Sequence, residues 1–348
     1  MSFVEPPPRL VDWTILAAVT LALVTGLGSL LVGVPSGAWV FVLHGAGALT
    51  LVVLLFFKFR RVRHRVASRW TVTIALSVLL GIVTLGALTT GIAWVVGVHL
   101  DLWGWTLLSL HIGLGLLVVP LVLLHLRRRF RPPSTDDWKG RRTALQYAGL
   151  VAFGGLAWRA NETIIAFLPT PGADHRFTGS KPEPGTGNRF PATSWMLDAP
   201  DPIDVDDWRL HVTGLVDEPL LLTYDDLPTT DEQRAILDCT SGWYTERDWQ
   251  GVRVSDILEA AGVDDGRKWV VFHSVTGYRF GFPLSEADDL LLATHVDKEQ
   301  LSHGHGFPLR VVAPGRRGFQ WVKWVTAVEV RRTRDIGQWL SIFISGID

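Results

Sequence analysis

Four long apolar runs near the start of the chain constrain its fold more than any other feature. They lie near Trp13–Val34, Ala38–Phe57, Trp70–Val96 and Trp103–Leu126. A helix needs about 20 residues to cross roughly 30 Å of hydrocarbon, and each run is long enough. Inside lipid every backbone N–H and C=O must be paired within the segment, so such runs fold as helices. Trp13, Trp39, Trp70, Trp103 and Trp105 stand at or near the starts of the runs, where amphipathic rings suit the membrane interface.

The connecting loops carry the expected orientation. "KFRRVRHRVASR" joins the second and third runs and "RRRFRPPSTDDWKGRR" follows the fourth, whereas "GVPSGAW" and "GVHLDLWG" contain no Lys or Arg. The positive-inside tendency predicts cytoplasmic arginine loops and a cytoplasmic amino terminus. Residues 1–142 carry a charge balance of +9 and residues 143–348 one of -10, which the formal net charge of -1 conceals. The mean hydropathy of +0.24 is high for a soluble protein of this length. Because the basic residues flank apolar runs and follow no groove-reading pattern, they argue for membrane lipid as a partner and against nucleic acid. The first run is too long for a cleavable signal and lacks a small-residue cleavage site.

A fifth segment, "GRRTALQYAGLVAFGGLAWRANETIIAFLP", places two arginines before a glycine-rich apolar run, Ala144–Trp158. It resembles a twin-arginine export signal, which implies passage of a folded domain through the twin-arginine export machinery of a prokaryotic cell membrane. The competing reading is an amphipathic linker helix, because Arg159, Asn161 and Glu162 interrupt the run. If the segment spans, the acidic part of the chain lies outside the cytoplasm.

Histidines inside the runs are the second clue. His111 and His125 are 14 residues apart, close to four helical turns or about 21 Å, so they share one helix face at two depths. That is the pattern of a helix bundle holding two b-type haems, one above the other, each iron taking an imidazole from two facing helices. His44 is expected to pair with His111 on the outer side, and His64 is the remaining histidine at a suitable depth for His125; His99 is a spare candidate. "WTLLSLHIGLGLLVVPLVLLHLRRR" resembles the last helix of di-haem cytochrome b subunits of the formate dehydrogenase type, which implies haem b, one or two per chain, and exchange with quinone or quinol.

From Pro169 to Pro202 the chain is rich in Pro, Gly and polar residues, which reads as a linker. Beyond it the period becomes alternating: "WRLHVTGLV", "RAILDC", "KWVVFHSV", "PLRVVAP" and "WVTAVEVRR" read as strands, "VSDILEAAGV" and "SEADDLLLATHV" as short helices. The apolar tail "WLSIFISG" is expected to dock on the bundle or on a second copy. Cys239 is the single cysteine of the chain, so its sulfur is either a small buried filler or a reactive ligand.

The order "WRLHVTGLVDEPLLLTYDDLP", "ILDCTSGW", "WQGVRVSDILEAAGV", "HGHGFPLRVVAPGRRGFQWVKWVTAVEV" resembles the molybdopterin-binding domain of the sulfite oxidase family, which also includes assimilatory nitrate reductases and periplasmic methionine-sulfoxide reductases. The resemblance implies Cys239 as the thiolate ligand of molybdenum, consistent with a soft ligand for a redox-active metal. It further implies pterin or phosphate contacts from His305 and Arg310 in "HGFPLR", and from Lys323 with the backbone of Trp321 and Val322 in "WVKW". Tyr278, five residues before Pro283, corresponds to a tyrosine beside the metal, and Phe190, Ser194 and Trp195 fall where the family adds further pterin contacts. Sulfite and nitrate enzymes follow the cysteine with an asparagine and anion-binding arginines; here "TSGWYTE" follows, and Arg247 is the nearest cation. This aromatic loop looks more like the methionine-sulfoxide reductase branch.

The expected organisation is multidomain. Residues 1–130 form a four-helix transmembrane cytochrome b-like domain, 131–168 a cytoplasmic loop with a fifth transmembrane helix, 169–202 an extracytoplasmic linker, and 203–348 a mixed α/β molybdopterin domain. The activity implied is oxygen-atom transfer at a molybdenum–molybdopterin centre, reducing a small or protein-bound S-oxide or N-oxide such as methionine sulfoxide. A sulfite-type dehydrogenase donating to quinone and a non-catalytic pterin-binding sensor are the alternatives.

Overall fold

The computed structural model describes residues 7–68, 70–98, 100–102, 105–132, 140–167, 173–194, 198–263, 266 and 268–346. The chain forms two compact units, 1–181 and 182–348.

The first unit is helical: α1 (Pro8–Ser29), α2 (Trp39–Ser68), α3 (Val72–Val95), α4 (Leu107–Arg129) and α5 (Arg141–Phe167). Pro8 opens α1, where a missing N–H costs nothing. Thr71 and Thr106 cap α3 and α4 by accepting from the backbone N–H of Ile74 and Ser109. Arg127, Arg128 and Arg129 close α4 where cations favour the helix dipole. A two-residue ladder of β1 (Asp101–Leu102) and β2 (Trp105–Thr106) precedes α4.

Among the described residues, α1 to α4 contain the four segments long and apolar enough to cross a membrane. Their outward faces are apolar, with Val24, Phe56, Ile82 and Leu123 exposed, while Leu10, Val11, Leu51 and Leu54 are buried. Thr14, Thr25, Thr50, Thr84 and Thr90 donate their hydroxyls to carbonyls one turn back, which pairs them without water. The fifth segment is a helix of 27 residues, but it is not among those four. It packs on α2 through small residues: Trp158 lies directly over Gly45, and Gly154 faces Thr50 and Ala46.

The boundary at 181/182 falls earlier than the expected 202/203, because the Pro- and Gly-rich segment is held at both ends. Trp94 Nε1 donates to the Gly179 carbonyl (2.9 Å) within the first unit. Gly187 N donates to Asp297 (2.7 Å) and Asn188 Nδ2 to the Gln300 carbonyl (2.9 Å) within the second. β3 (Lys181–Pro182) lies at the boundary itself.

The second unit is mixed α/β. One sheet holds β6 (Asp231–Asp238), β7 (Trp243–Arg253), β10 (Leu291–Val296), β11 (Glu299–Gln300) and β12 (Arg310–Val312). The other runs in the order β5 (Leu220–Leu222), β4 (Leu210–Gly214), β13 (Val325–Arg331), β8 (Trp269–Ser274), β9 (Arg279–Pro283). β13 is parallel to β4 and antiparallel to β8. Along β7 burial alternates, with Trp243, Thr245, Arg247 and Trp249 on the inward face, as the two-residue period of a strand dictates. Trp249, Trp321, Phe272, Phe282 and Leu292 join both sheets in one core.

Of the expected helices, "VSDILEAAGV" contains α6 (Val254–Ala260), whereas "SEADDLLLATHV" divides into a short 3-10 turn and β10. The tail forms α7 (Gln338–Ile344) and docks on its own domain. Gln338 Oε1 accepts from Gly281 N (3.0 Å), Ser341 Oγ donates to the Arg279 carbonyl (3.2 Å), and Trp339 meets Phe280 edge-on. The edge backbone of β9 takes its polar side chains.

Candidate functional site

Cys239 stands at the mouth of the β6–β7 hairpin. Its N–H donates to the Trp243 carbonyl (2.8 Å), and the turn closes by Gly242 N donating back to the Cys239 carbonyl (3.1 Å). Gly242 has φ 101°, a conformation that side chains other than glycine resist. "CTSGW" therefore encodes a tight turn that presents the sulfur. Cys239 is 8% exposed, and Sγ lies 3.1 Å from Ser241 Oγ.

Two further elements converge on this turn. Arg317 forms a buried ion pair with Asp238 (2.7 Å) and its Nη2 donates to the Cys239 carbonyl (3.3 Å). The next residue, Gly318, comes so close that a Cβ there would stand 3.1 Å from Cys239 Cα. The sequence reading missed Asp238 and Arg317; the signal was the arginine pair in "PGRRGF", which reads as surface charge until the fold folds it inward.

Tyr278 is buried and donates its hydroxyl to the Phe319 carbonyl (2.6 Å). The described link between Tyr278 and Cys239 thus runs through the turn carrying Gly318 and Phe319, which Tyr278 braces.

Arg310 lies in β12, buried between Trp249 and Trp321, whose ring centres are 5.5 and 5.8 Å from the guanidinium carbon. Its Nη1 donates to the His305 carbonyl (2.8 Å). Burial lowers its pKa to about 10, and the charge of Cys239 opposes that shift. Lys323 donates to Ser194 Oγ (2.7 Å) and to the Gly304 carbonyl (2.9 Å). Burial, then Arg310, lowers its pKa to about 7, against the pull of Asp198 and Cys239. Arg310 and Lys323 are therefore both within electrostatic range of the cysteine. The backbone of Val322 is engaged by the Val311 N–H (2.8 Å), and Trp321 N–H donates to the Gly318 carbonyl (3.1 Å).

His305 is held by its own protein at both ring nitrogens. Its Nε2–H donates to the Phe190 carbonyl (2.8 Å), so Nδ1 accepts from the Ser302 hydroxyl (2.6 Å). Both ring nitrogens are engaged within the protein, and burial lowers the pKa to about 4, so the ring is neutral. His305 pins Phe190, 4.1 Å away between ring centres, against the core. Ser194 is exposed beside Lys323; Trp195 lies outside the described residues, as does His99 in the first unit.

The donor set fits an anionic, sulfur-bearing cofactor. Arg310 Nε and Trp321 Nε1 are buried without a hydrogen-bond partner among the described residues, and such donors are costly unless a ligand satisfies them. Arg247, on the hairpin, lies against Phe190 and 3.5 Å from Asp297, and its Nε and Nη2 are likewise buried without a hydrogen-bond partner among the described residues.

In the first unit, His44 and His111 are brought together, with ring centres 5.8 Å apart and planes at 88°. His44 Nδ1 donates to the Ala22 carbonyl (3.0 Å) and His111 Nδ1 to the Ala87 carbonyl (2.8 Å). His64 and His125 are not joined in the same way. His64 is exposed at the arginine-rich end of α2, while His125 Nδ1 lies 3.2 Å from Ser77 Oγ.

Residues 196–339 match the oxidoreductase molybdopterin binding domain family. YuiH, an uncharacterized oxidoreductase of Bacillus subtilis, is 35% identical over 147 residues, covering 41% of this chain and 74% of its own. The mitochondrial sulfite oxidase of Drosophila melanogaster is 37% identical over 102 residues, 26% of this chain and 18% of its own. The protein-methionine-sulfoxide reductase catalytic subunit MsrP of Gluconobacter oxydans is 28% identical over 226 residues, 56% of this chain and 70% of its own. The inward-facing cysteine turn, the unsatisfied donors around it and these similarities agree: the chain belongs to the molybdopterin-binding oxidoreductase family of sulfite oxidase type.

Proposed function

We propose that the chain is a membrane-bound molybdenum oxidoreductase that reduces an S-oxide or N-oxide, such as methionine sulfoxide, outside the cytoplasm with electrons from quinol. The observation that carries this reading is the turn-presented, buried thiol of Cys239, faced by the cations Arg310 and Lys323. Cys239 would ligate the molybdenum; Arg310, Lys323 and the Trp321 indole N–H would hold the anionic pterin end. When bound, that group supplies two-electron oxygen-atom transfer.

The protein's own residues then position and select. Arg317 and Gly318 hold the cysteine backbone from behind, and the Asp238 carboxylate keeps Arg317 in place. Trp243, Phe190 and Trp249 give the hairpin an aromatic flank that suits an organic oxide.

In the bundle, His44 and His111, whose ring centres are 5.8 Å apart, would hold a b-type haem, which when bound supplies one-electron transfer between quinol and the molybdenum domain. α5, with its leading arginine pair, would tether a domain exported by the twin-arginine machinery, with the amino terminus in the cytoplasm.

A sulfite-type dehydrogenase is the second reading, favoured by the similarity to sulfite oxidase. One assay separates the two. Purified protein is reduced before methionine sulfoxide is added, or left oxidised before sulfite is added, while the haem spectrum is followed. Oxidation by the sulfoxide supports the proposal; steady-state haem reduction by sulfite, with no response to sulfoxide, reverses the direction. Preparations without stoichiometric molybdenum would leave only a pterin-binding sensor.

A further inference from the structure

The bundle contains one contact pattern twice. "ALVTG" in α1 starts at Ala22, and "ALTTG" in α3 starts at Ala87, 65 residues later. Ala22 accepts from His44 Nδ1, and Ala87 accepts from His111 Nδ1. Gly26 and Gly91, each four residues past its alanine, lie against the respective imidazole; a Cβ would stand 3.2 and 2.9 Å from the ring. The two hairpins, α1–α2 and α3–α4, therefore share this contact, α1 matching α3 at an offset of 65 residues and α2 matching α4 at one of 67, which marks an internal repeat.

The same register reaches the other end of the bundle. The residue 14 positions after His111 is His125, followed by Leu126, Arg127 and Arg128; 14 positions after His44 stands Lys58, followed by Phe59, Arg60 and Arg61. Ser77 touches His125 (Oγ to Nδ1, 3.2 Å), and the residue 65 positions before Ser77 is Asp12, which binds Lys58 (2.6 Å). Asp12–Lys58 in the first hairpin thus corresponds to Ser77–His125 in the second.

Equivalent residues of two repeats meet only near the axis relating them, and His44 and His111 do so with rings in contact. At the inner depth that axis has an imidazole on one side and an ammonium on the other, and His125 is within electrostatic range of both Lys58 and Asp12. An ammonium held by a carboxylate has no lone pair for a metal.

We propose that the bundle is a duplicated hairpin holding one haem, on His44 and His111, and that the Lys58–Asp12 ion pair excludes a second haem at His125. This rests on the haem reading above and goes beyond it by assigning the count and its cause. His64 lies outside the repeated contacts and is no ligand.

Haem is counted in the purified full-length protein by the pyridine haemochromogen method against protein concentration. The expected ratio is one per chain, unchanged in His64→Ala and His125→Gln. The double variant Asp12→Ser with Lys58→His copies the second hairpin into the first and is expected to approach two haems per chain, with a second midpoint in a redox titration. Two haems in the unaltered protein, or a lost haem in His64→Ala or His125→Gln, overturn the proposal while leaving the haem reading intact. A double variant that keeps its outer haem and stays at one overturns the assigned cause. No haem in the unaltered protein sinks the haem reading itself, and the proposal with it.

Discussion

The Asp238–Arg317 pair is the sharpest point at which to perturb the site without touching a ligand. The two side chains are 2% and 4% exposed and 2.7 Å apart, and Arg317 also donates to the cysteine carbonyl. Asp238→Ala leaves a guanidinium buried with no carboxylate, a change that costs about 3–5 kcal/mol because the charge can neither titrate nor reach water. For a unit of this size each kcal/mol moves the melting midpoint by about 2–4 °C. The expected fall is therefore roughly 6–20 °C in the calorimetric transition of the second unit. Replacing both partners, Asp238→Leu with Arg317→Met, removes both desolvation penalties and is expected to recover most of that loss. Molybdenum content should fall in the single variant and stay low in the double, since neither retains the Arg317 contact in its native form. A single variant that melts within about 2 °C of the parent refutes the reasoning, because the pair would then be solvated.

Other residues of the site are separable by different readouts. Cys239→Ser is expected to lose bound molybdenum, measured by metal analysis, together with at least about a hundredfold of activity, while its melting curve stays near the parent's. Gly318→Ala pushes on Cys239 Cα from 3.1 Å, and a displaced ligand should cost about tenfold in turnover with little change in fold, checked by kinetics beside circular dichroism. Lys323 is lowered from 10.5 to about 7, so between those pH values the unfolded chain binds a proton that the folded one does not. Stability of cofactor-free protein should therefore rise from about pH 7 toward 10.5 on this account, and Lys323→Met should flatten that rise in denaturant titrations.

Much of the architecture was legible without coordinates. Leucine- and valine-rich runs of 20 residues have few ways to satisfy their backbone in lipid, and the arginine loops mark their ends; α1 to α4 fall where the runs do. The alternation in "RAILDC" and "WVTAVEVRR" marked β6 and β13, because period and burial are both local properties. Cys239 and the "HGFPLR" and "WVKW" segments were found through their order along the chain. The contacts of the tail and the linker were not legible because their partners, Gly281 and Phe280 for α7, Asp297 and Trp94 for the linker, are distant in sequence.

The sequence by itself determined four apolar helices and an α/β domain, since these follow from hydropathy, periodicity and motif order. Tertiary structure alone decided how the charges are used. Arg317 reads as a surface cation until it meets Asp238 in the core, and His305 is engaged at both ring nitrogens by Phe190 and Ser302, neither of them part of the motif that contains it. Lys58 reads as one more cation of an arginine-rich loop until it meets Asp12 on the neighbouring helix. A side chain's chemistry depends on its partners in space, and sequence distance says little about those.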